Sequence, residues 1–352
     1  MKKIGIGIIG CGNISDIYLK NLSTLFKSID LIGCADIVEE KAKEKSEEYK
    51  IKHFSVEEIL ASPEIDIILN LTIPLAHREV CEKALISGKH VYVEKPLSLN
   101  IEDGKYLIDL AKEKGLLIGG APDTFLGGGI QTCIKLIKDG WIGDIVGANA
   151  FMTCHGHESW HPDPEFYYKA GGGPMFDMGP YYLTALVKLI GPINYVAGMT
   201  SKGFETRTIS SEKKFGQEIV VDVPTHLVSI LKFANGATGQ LTTSFDVWEA
   251  ELPHIEIYGT KGTISVPDPN TFGGPIRLKT MDSDGFMEIP SAYGYTENSR
   301  GLGIVNMAKA IVEDNETIFQ ASGALTYHVL EVMQAIHTSS DKMNFVSINS
   351  KV

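Results

Sequence analysis

At 352 residues, 43% hydrophobic and 22% charged, the chain is long enough for two domains and has the composition of a globular protein, not of a disordered, collagen-like or coiled-coil one. Its net charge of -12, with no clustered lysine or arginine, argues against a nucleic-acid partner. No run of about 18 apolar residues offers a membrane span, and five scattered cysteines with no CxxC pair suit a reducing, cytoplasmic compartment better than a disulfide framework.

Up to residue 122, short apolar runs alternate with amphipathic stretches of helical length, the pattern of a parallel sheet with crossover helices. The runs are IGIGII (4–9), LIGCAD (31–36), IDIILNLT (65–72), HVYVEK (90–95) and LLIGGAP (116–122). Between them, Ser55 and Glu58 make a capping box, Asn100 caps a helix that Gly115 ends, and Gly88 closes the helix before HVYVEK. From residue 123 the rhythm changes. One helix near 129–138 precedes β-rich segments whose ANGA and GTKG turns predict hairpins, and helices near 299–313 and 321–338 close the chain. The expected fold class is α/β: a doubly wound Rossmann sheet over residues 1–122, then an α+β domain with a large, mainly antiparallel sheet over 123–352.

The first apolar run leads into Gly10-Cys11-Gly12-Asn13-Ile14-Ser15. Glycine at the first two positions permits a tight turn and lets a pyrophosphate approach the N-terminus of the next helix, where free N–H groups and the helix dipole favour anions. The third position carries Ser15, still small enough for close helix packing. The second run ends on Asp36, whose carboxylate can accept hydrogen bonds from an adenosine ribose and would repel a 2′-phosphate, so NAD is expected in preference to NADP.

Glu94, Lys95 and Pro96 end the HVYVEK run, at the strand end where open parallel sheets bind ligands. Together with the glycine turn, Asp36, the stretch TIPLAHREVCEKALISGKHVYVEKP and the later GGGPMFDMGPYY, they make the chain resemble the Gfo/Idh/MocA oxidoreductases, the family of glucose-fructose oxidoreductase and the inositol dehydrogenases, over essentially its whole length. The resemblance implies a dinucleotide held by Gly10, Gly12, Asn13, Ile14, Asp36, Thr72, Ile73, Pro74, His77, Glu94 and Lys95, with Lys95 also reaching the substrate.

Reducing a carbonyl with a hydride requires a proton donor at the developing alkoxide, and oxidation requires the same group as a base. Asp177 and Tyr181 stand four residues apart, a spacing that shares a helix face, and Pro180 is expected in the first turn of that helix with Asp177 at or near its N-cap. Most of the resembled family carries histidine where this chain has Tyr181, while glucose-fructose oxidoreductase carries tyrosine there. The expected scheme has Lys95 and Tyr181 sharing proton transfer and Asp177 orienting the substrate or Lys95.

The loop HGHESWHPDPEFYY could offer Trp160 as an apolar platform and His161 as a polar contact to a polyol, and Asp123 is a further substrate candidate. His155, His157 and His161 are too loosely spaced to predict a metal site. The sequence thus points to an NAD(P)-dependent dehydrogenase acting on a sugar, cyclitol or related polyol, as a homodimer or homotetramer formed through the sheet. The alternative is a non-catalytic dinucleotide- and sugar-binding regulator of the same fold.

Overall fold

The IGIGII run forms β1 (Ile4–Ile9), buried at every residue, because a parallel strand covered by helices on both faces has no solvent side. In the computed structural model, which describes residues 3–352, it is followed by β2 (Ile29–Ala35), β3 (Lys52–His53), β4 (Ile67–Asn70), β5 (His90–Val93) and β6 (Ile118–Gly120). These six strands make one sheet in the order β3-β2-β1-β4-β5-β6, with every pairing parallel. The order reverses between β1 and β4, and such a switch leaves a crevice beyond the C-terminal strand ends. The crossover helices are α1 (Ser15–Thr24), α2 (Glu39–Tyr49), α3 (Val56–Ala61), α4 (Pro74–Ile86) and α5 (Ile101–Lys114). Their ends follow the local signals: the Ser55/Glu58 capping box forms, and Asn100 accepts from the Asp103 N–H at 2.7 Å. β3 has no apolar run behind it, since both of its residues are exposed.

The β-rich half opens with α6 (Gly128–Lys138) and β7 (Ile145–Thr153), then two helices in tandem, α7 (Gly173–Asp177) and α8 (Gly179–Ile190). Next come β8 (Ile193–Ser201), the short pair β9 (Thr206–Thr208) and β10 (Glu218–Val220), β11 (His226–Phe233) and β12 (Thr238–Ser244). β13 (Ile255–Gly259), β14 (Gly262–Val266), β15 (Ile276–Thr280) and β16 (Met287–Ile289) follow. The expected hairpins are β11–β12 and β13–β14. β7 and β12 pair in parallel, which makes this large sheet mixed but mostly antiparallel. Along β11, Leu227, Ser229, Leu231 and Phe233 are buried while Val228 and Ile230 are exposed, the period-two pattern of a sheet with one covered face.

The chain closes with α9 (Leu302–Glu313), α10 (Gly323–Lys342) and β17 (Val346–Ser347), which joins the large sheet beside β8. Residues 3–126 and 298–330 form one compact unit, and residues 127–297 with 331–351 form another. A single boundary at 122 therefore does not describe the chain, because a C-terminal stretch returns to the first unit. The return has visible ties: Gly119 forms a bridge with Ser322, and the Gly120 N–H donates to the Ala321 carbonyl at 3.1 Å. Among the described residues no helix is long and apolar enough to cross a membrane.

Candidate active site

In the first unit, the turn after β1 is built around two glycines with different reasons. Gly10 has φ +105°, and a Cβ there would lie 2.6 Å from the Leu71 carbonyl carbon, where the exits of β1 and β4 meet. Gly12 is the opposite case: an added Cβ would find no protein atom within 4 Å. That open space is what a pyrophosphate needs against the start of α1. No side chain caps α1, whose N-cap residue is Ile14, while Ser15, fully buried, turns its hydroxyl back to the Gly12 carbonyl at 2.6 Å.

Asp36 sits just past β2 with its carboxylate fixed by backbone donors. The Cys11 N–H reaches Oδ2 at 2.7 Å and the Val38 N–H reaches Oδ1 at 2.8 Å. The glycine turn and the acid are thereby locked together. Gly10, Gly12, Asp36, Thr72 and Ile73 all line one groove of about 800 Å³. The residues present thus fit a dinucleotide.

Asn70, at the end of β4, orders the neighbouring loop. Its Oδ1 accepts from the Thr72 N–H at 3.1 Å and the Thr72 hydroxyl at 2.7 Å, and its amide donates to the His77 carbonyl at 3.3 Å. Pro74 begins α4 at the position where its missing N–H costs nothing. His77 is fully buried, which corrects its expected role as a cofactor contact. Its Nδ1 lies 2.7 Å from the Pro96 carbonyl oxygen and its Nε2 3.0 Å from that of Thr72, so the ring ties the two loops after β4 and β5. Burial pushes its pKa down, against the pull of those carbonyls.

Glu94 is buried and accepts from the Tyr18 hydroxyl at 2.7 Å and from the Lys95 N–H at 2.9 Å. Tyr18, on α1, is itself fully buried, and burial with the Glu94 charge beside it holds its pKa well above the phenol range. Tyr18 and Asn70 carry little signal in the sequence. Their only signals are a polar end to the buried ILN run and a tyrosine on the inward face of α1.

Asp123 also departs from expectation. It is 1% exposed, and its Oδ2 accepts from the Gly301 and Gly303 N–H groups at 2.8 and 3.0 Å, at the start of α9. Burial raises its pKa to about 6 in spite of those bonds. The acid has a structural task there and no open side toward a polyol.

In the second unit, the helix expected to begin around Pro180 is α8, with Pro180 in its first turn and Asp177 one residue before its N-cap Met178; Asp177 is also the last residue of a separate short helix, α7. Two prolines set these ends. Pro174 starts α7 early, and Pro180 has no N–H to continue its ladder, so the backbone restarts with Tyr181 N–H on the Met178 carbonyl at 3.1 Å. Tyr181 is 7% exposed. Tyr182 points elsewhere, with its hydroxyl 3.0 Å from His254 Nδ1.

The histidine-rich loop divides its rings among different partners. His155 stacks on Trp248 with centroids 3.4 Å apart, while His161 accepts the Asp163 N–H on Nδ1 at 3.0 Å and has a pKa lowered by burial. Trp160 is 60% exposed and meets both His157 and His161 at 5.3 Å between ring centroids. His157, whose spacing in the chain suggests no more than a loose metal ligand, faces Asp177: Nε2 and Oδ2 are 3.2 Å apart. Among the described residues no three His, Cys, Asp or Glu side chains gather as a ligand set. The loop rests on a buried charge cluster in which Arg207 pairs with Glu158 at 3.0 Å and with Asp246, and Tyr168 donates to Glu158.

The doubly wound sheet, the glycine turn and the anchored acid define a dinucleotide-binding protein. Comparison with known proteins agrees. Residues 4–120 match the model described as the oxidoreductase family with an NAD-binding Rossmann fold, and residues 130–265 match the GFO/IDH/MocA C-terminal domain. The chain belongs to the Gfo/Idh/MocA oxidoreductase family. It is 25% identical over 236 residues to a D-xylose dehydrogenase of Paenarthrobacter nicotinovorans, a match spanning 64% of this chain and only 60% of that protein's length. It is 25% identical over 266 residues to a myo-inositol 2-dehydrogenase of Thermotoga maritima, covering 74% of each. In fold it is similar to a levoglucosan dehydrogenase solved with NADH, with a TM-score of 0.82, 21% identity, and 99% of this chain and 100% of that chain covered.

Proposed function

We propose that the protein is an NAD-dependent dehydrogenase of a sugar, cyclitol or related polyol. The observation that carries the reading is the locked pair of an open Gly12 cradle and a backbone-anchored Asp36 on one groove. Relatives named as xylose and inositol dehydrogenases support the substrate class, and the carboxylate at Asp36 supports NAD over NADP. When bound, the dinucleotide supplies the hydride acceptor or donor for the carbon that bears the hydroxyl. Lys95 and Tyr181 take up or return the hydroxyl proton, and Asp177 orients the group being oxidised or reduced. Trp160 and His161 are proposed substrate contacts, and Asn13, Ile14, Thr72, Ile73, Pro74 and Glu94 are proposed cofactor contacts.

Five free cysteines support a cytoplasmic setting. The uncovered face of β8 and β11, where exposed Met199 stands opposite exposed Val228, supports a homodimer or homotetramer.

The test is NADH formation with purified protein across a panel of aldoses, inositols and anhydro sugars. Turnover on at least one member is expected, with Lys95→Met and Tyr181→Phe each lowering kcat about a hundredfold or more. Tight NAD binding with no turnover on any member would favour a dinucleotide- and sugar-binding regulator instead. Near-native turnover in both variants would remove the proton-transfer roles.

A further inference from the structure

We infer that His157 is the positioning residue for Asp177, a role that rests on the dehydrogenase activity proposed above. α8 carries no histidine. An imidazole nevertheless meets the acid from the other direction. His157 comes from the loop after β7, twenty residues before Asp177, and its Nε2 lies 3.2 Å from Asp177 Oδ2, with side chains only 11% and 16% exposed.

Three aromatic rings fix the plane of this histidine. Tyr167, Phe245 and Trp160 stand 4.1, 4.6 and 5.3 Å from it between centroids. Its backbone is held as well, since the His157 N–H donates to the Tyr168 hydroxyl at 3.4 Å and Tyr168 is tied to Glu158. A ring clamped by packing leaves its Nε2 edge to determine how the carboxylate turns. A carboxylate oxygen accepts, so in this pair His157 donates from Nε2. Asp177 closes a five-residue helix that Pro180 prevents from continuing. His157 supplies a side-chain anchor that helps hold the carboxylate in one orientation for the substrate hydroxyl, and a displacement of about 1 Å at such a group can cost about a hundredfold in rate.

Two substitutions separate this role from packing. His157→Phe keeps the aromatic packing and deletes the donor; His157→Gln restores an N–H at similar reach. His157→Phe is expected to lower kcat about tenfold to a hundredfold, with the KM for the polyol and the NADH Kd changed by less than about threefold. His157→Gln is expected to recover most of that kcat. Native kcat in His157→Phe, or a loss in His157→Gln as deep as in His157→Phe, overturns the inference. A readout without turnover is the ¹⁵N NMR spectrum of the His157 ring in the full-length protein. A proton is expected on Nε2 in the wild type, with its hydrogen-bonded shift reduced in Asp177→Asn; a wild-type Nε2 that carries no proton overturns the pairing. Absence of turnover on every polyol would strike the proposed activity and the catalytic role with it, while the NMR result still decides whether the pair exists.

Discussion

Replacing Asp123 by asparagine is expected to stabilise the protein at neutral pH. The carboxylate is fully buried, and its pKa is raised from 3.8 to about 6, chiefly by burial, with the Gly303 and Gly301 N–H groups opposing the shift. A carboxyl group with a raised folded-state pKa favours folding while protonated: its contribution is fully present below pH 3.8 and is lost as the pH rises through 6. A shift of about two units at 1.36 kcal/mol each amounts to about 3 kcal/mol forgone at pH 7. The substituted amide would mimic the protonated acid, because both N–H donors already converge on one oxygen, Oδ2, which the amide carbonyl can replace. Urea denaturation of wild type and Asp123→Asn would measure the difference, expected near 3 kcal/mol at pH 7, about half of that at pH 5 and below about 1 kcal/mol near pH 4. KM for the polyol should be unchanged, since a side chain spent on the start of α9 does not bind substrate. A variant less stable than wild type at pH 7, or a gap that does not narrow with falling pH, would mean that the buried Asp123 carboxyl does not cost the fold stability at neutral pH. A raised KM with native stability would return Asp123 to the substrate site.

The two turn glycines should fail differently. Gly12→Ala meets no protein atom, so its Tm should stay native while NADH affinity falls about tenfold or more, readable by fluorescence titration. Gly10→Ala combines φ +105° with a backbone collision at Leu71 and should lose about 2 kcal/mol or more of stability by denaturation. His77→Leu removes the single N–H that the neutral ring gives to one of the Thr72 and Pro96 carbonyls and should cost about 2 kcal/mol. Unaltered stability there, with only NADH binding reduced, would instead make His77 a direct cofactor contact.

The parts of this protein that a reader of the sequence can see are those encoded within a few residues. The glycine turn, the acid closing β2, the Ser55/Glu58 box and the Asn100 cap each join a local pattern to a local backbone geometry, so strand, turn and helix period suffice to find them. Pro180 likewise marks the start of α8 with Asp177 beside its N-cap, while the short α7 before it carries no apolar period long enough to be seen.

What only tertiary structure decided are the pairings of side chains remote in the chain. Tyr18 meets Glu94 across 76 residues and Asp123 meets Gly303 across 180. His157 finds Asp177 across 20 residues, through two loops and a helix of five. No local period records such contacts, since they exist only after sheet closure brings strand ends and loops together. Strand and helix periods along the chain are enough to place a dinucleotide sheet before a mainly antiparallel one, because burial patterns follow those periods. Which acid serves the fold and which faces an imidazole was settled by packing, because burial and hydrogen-bond partners are properties of the closed chain.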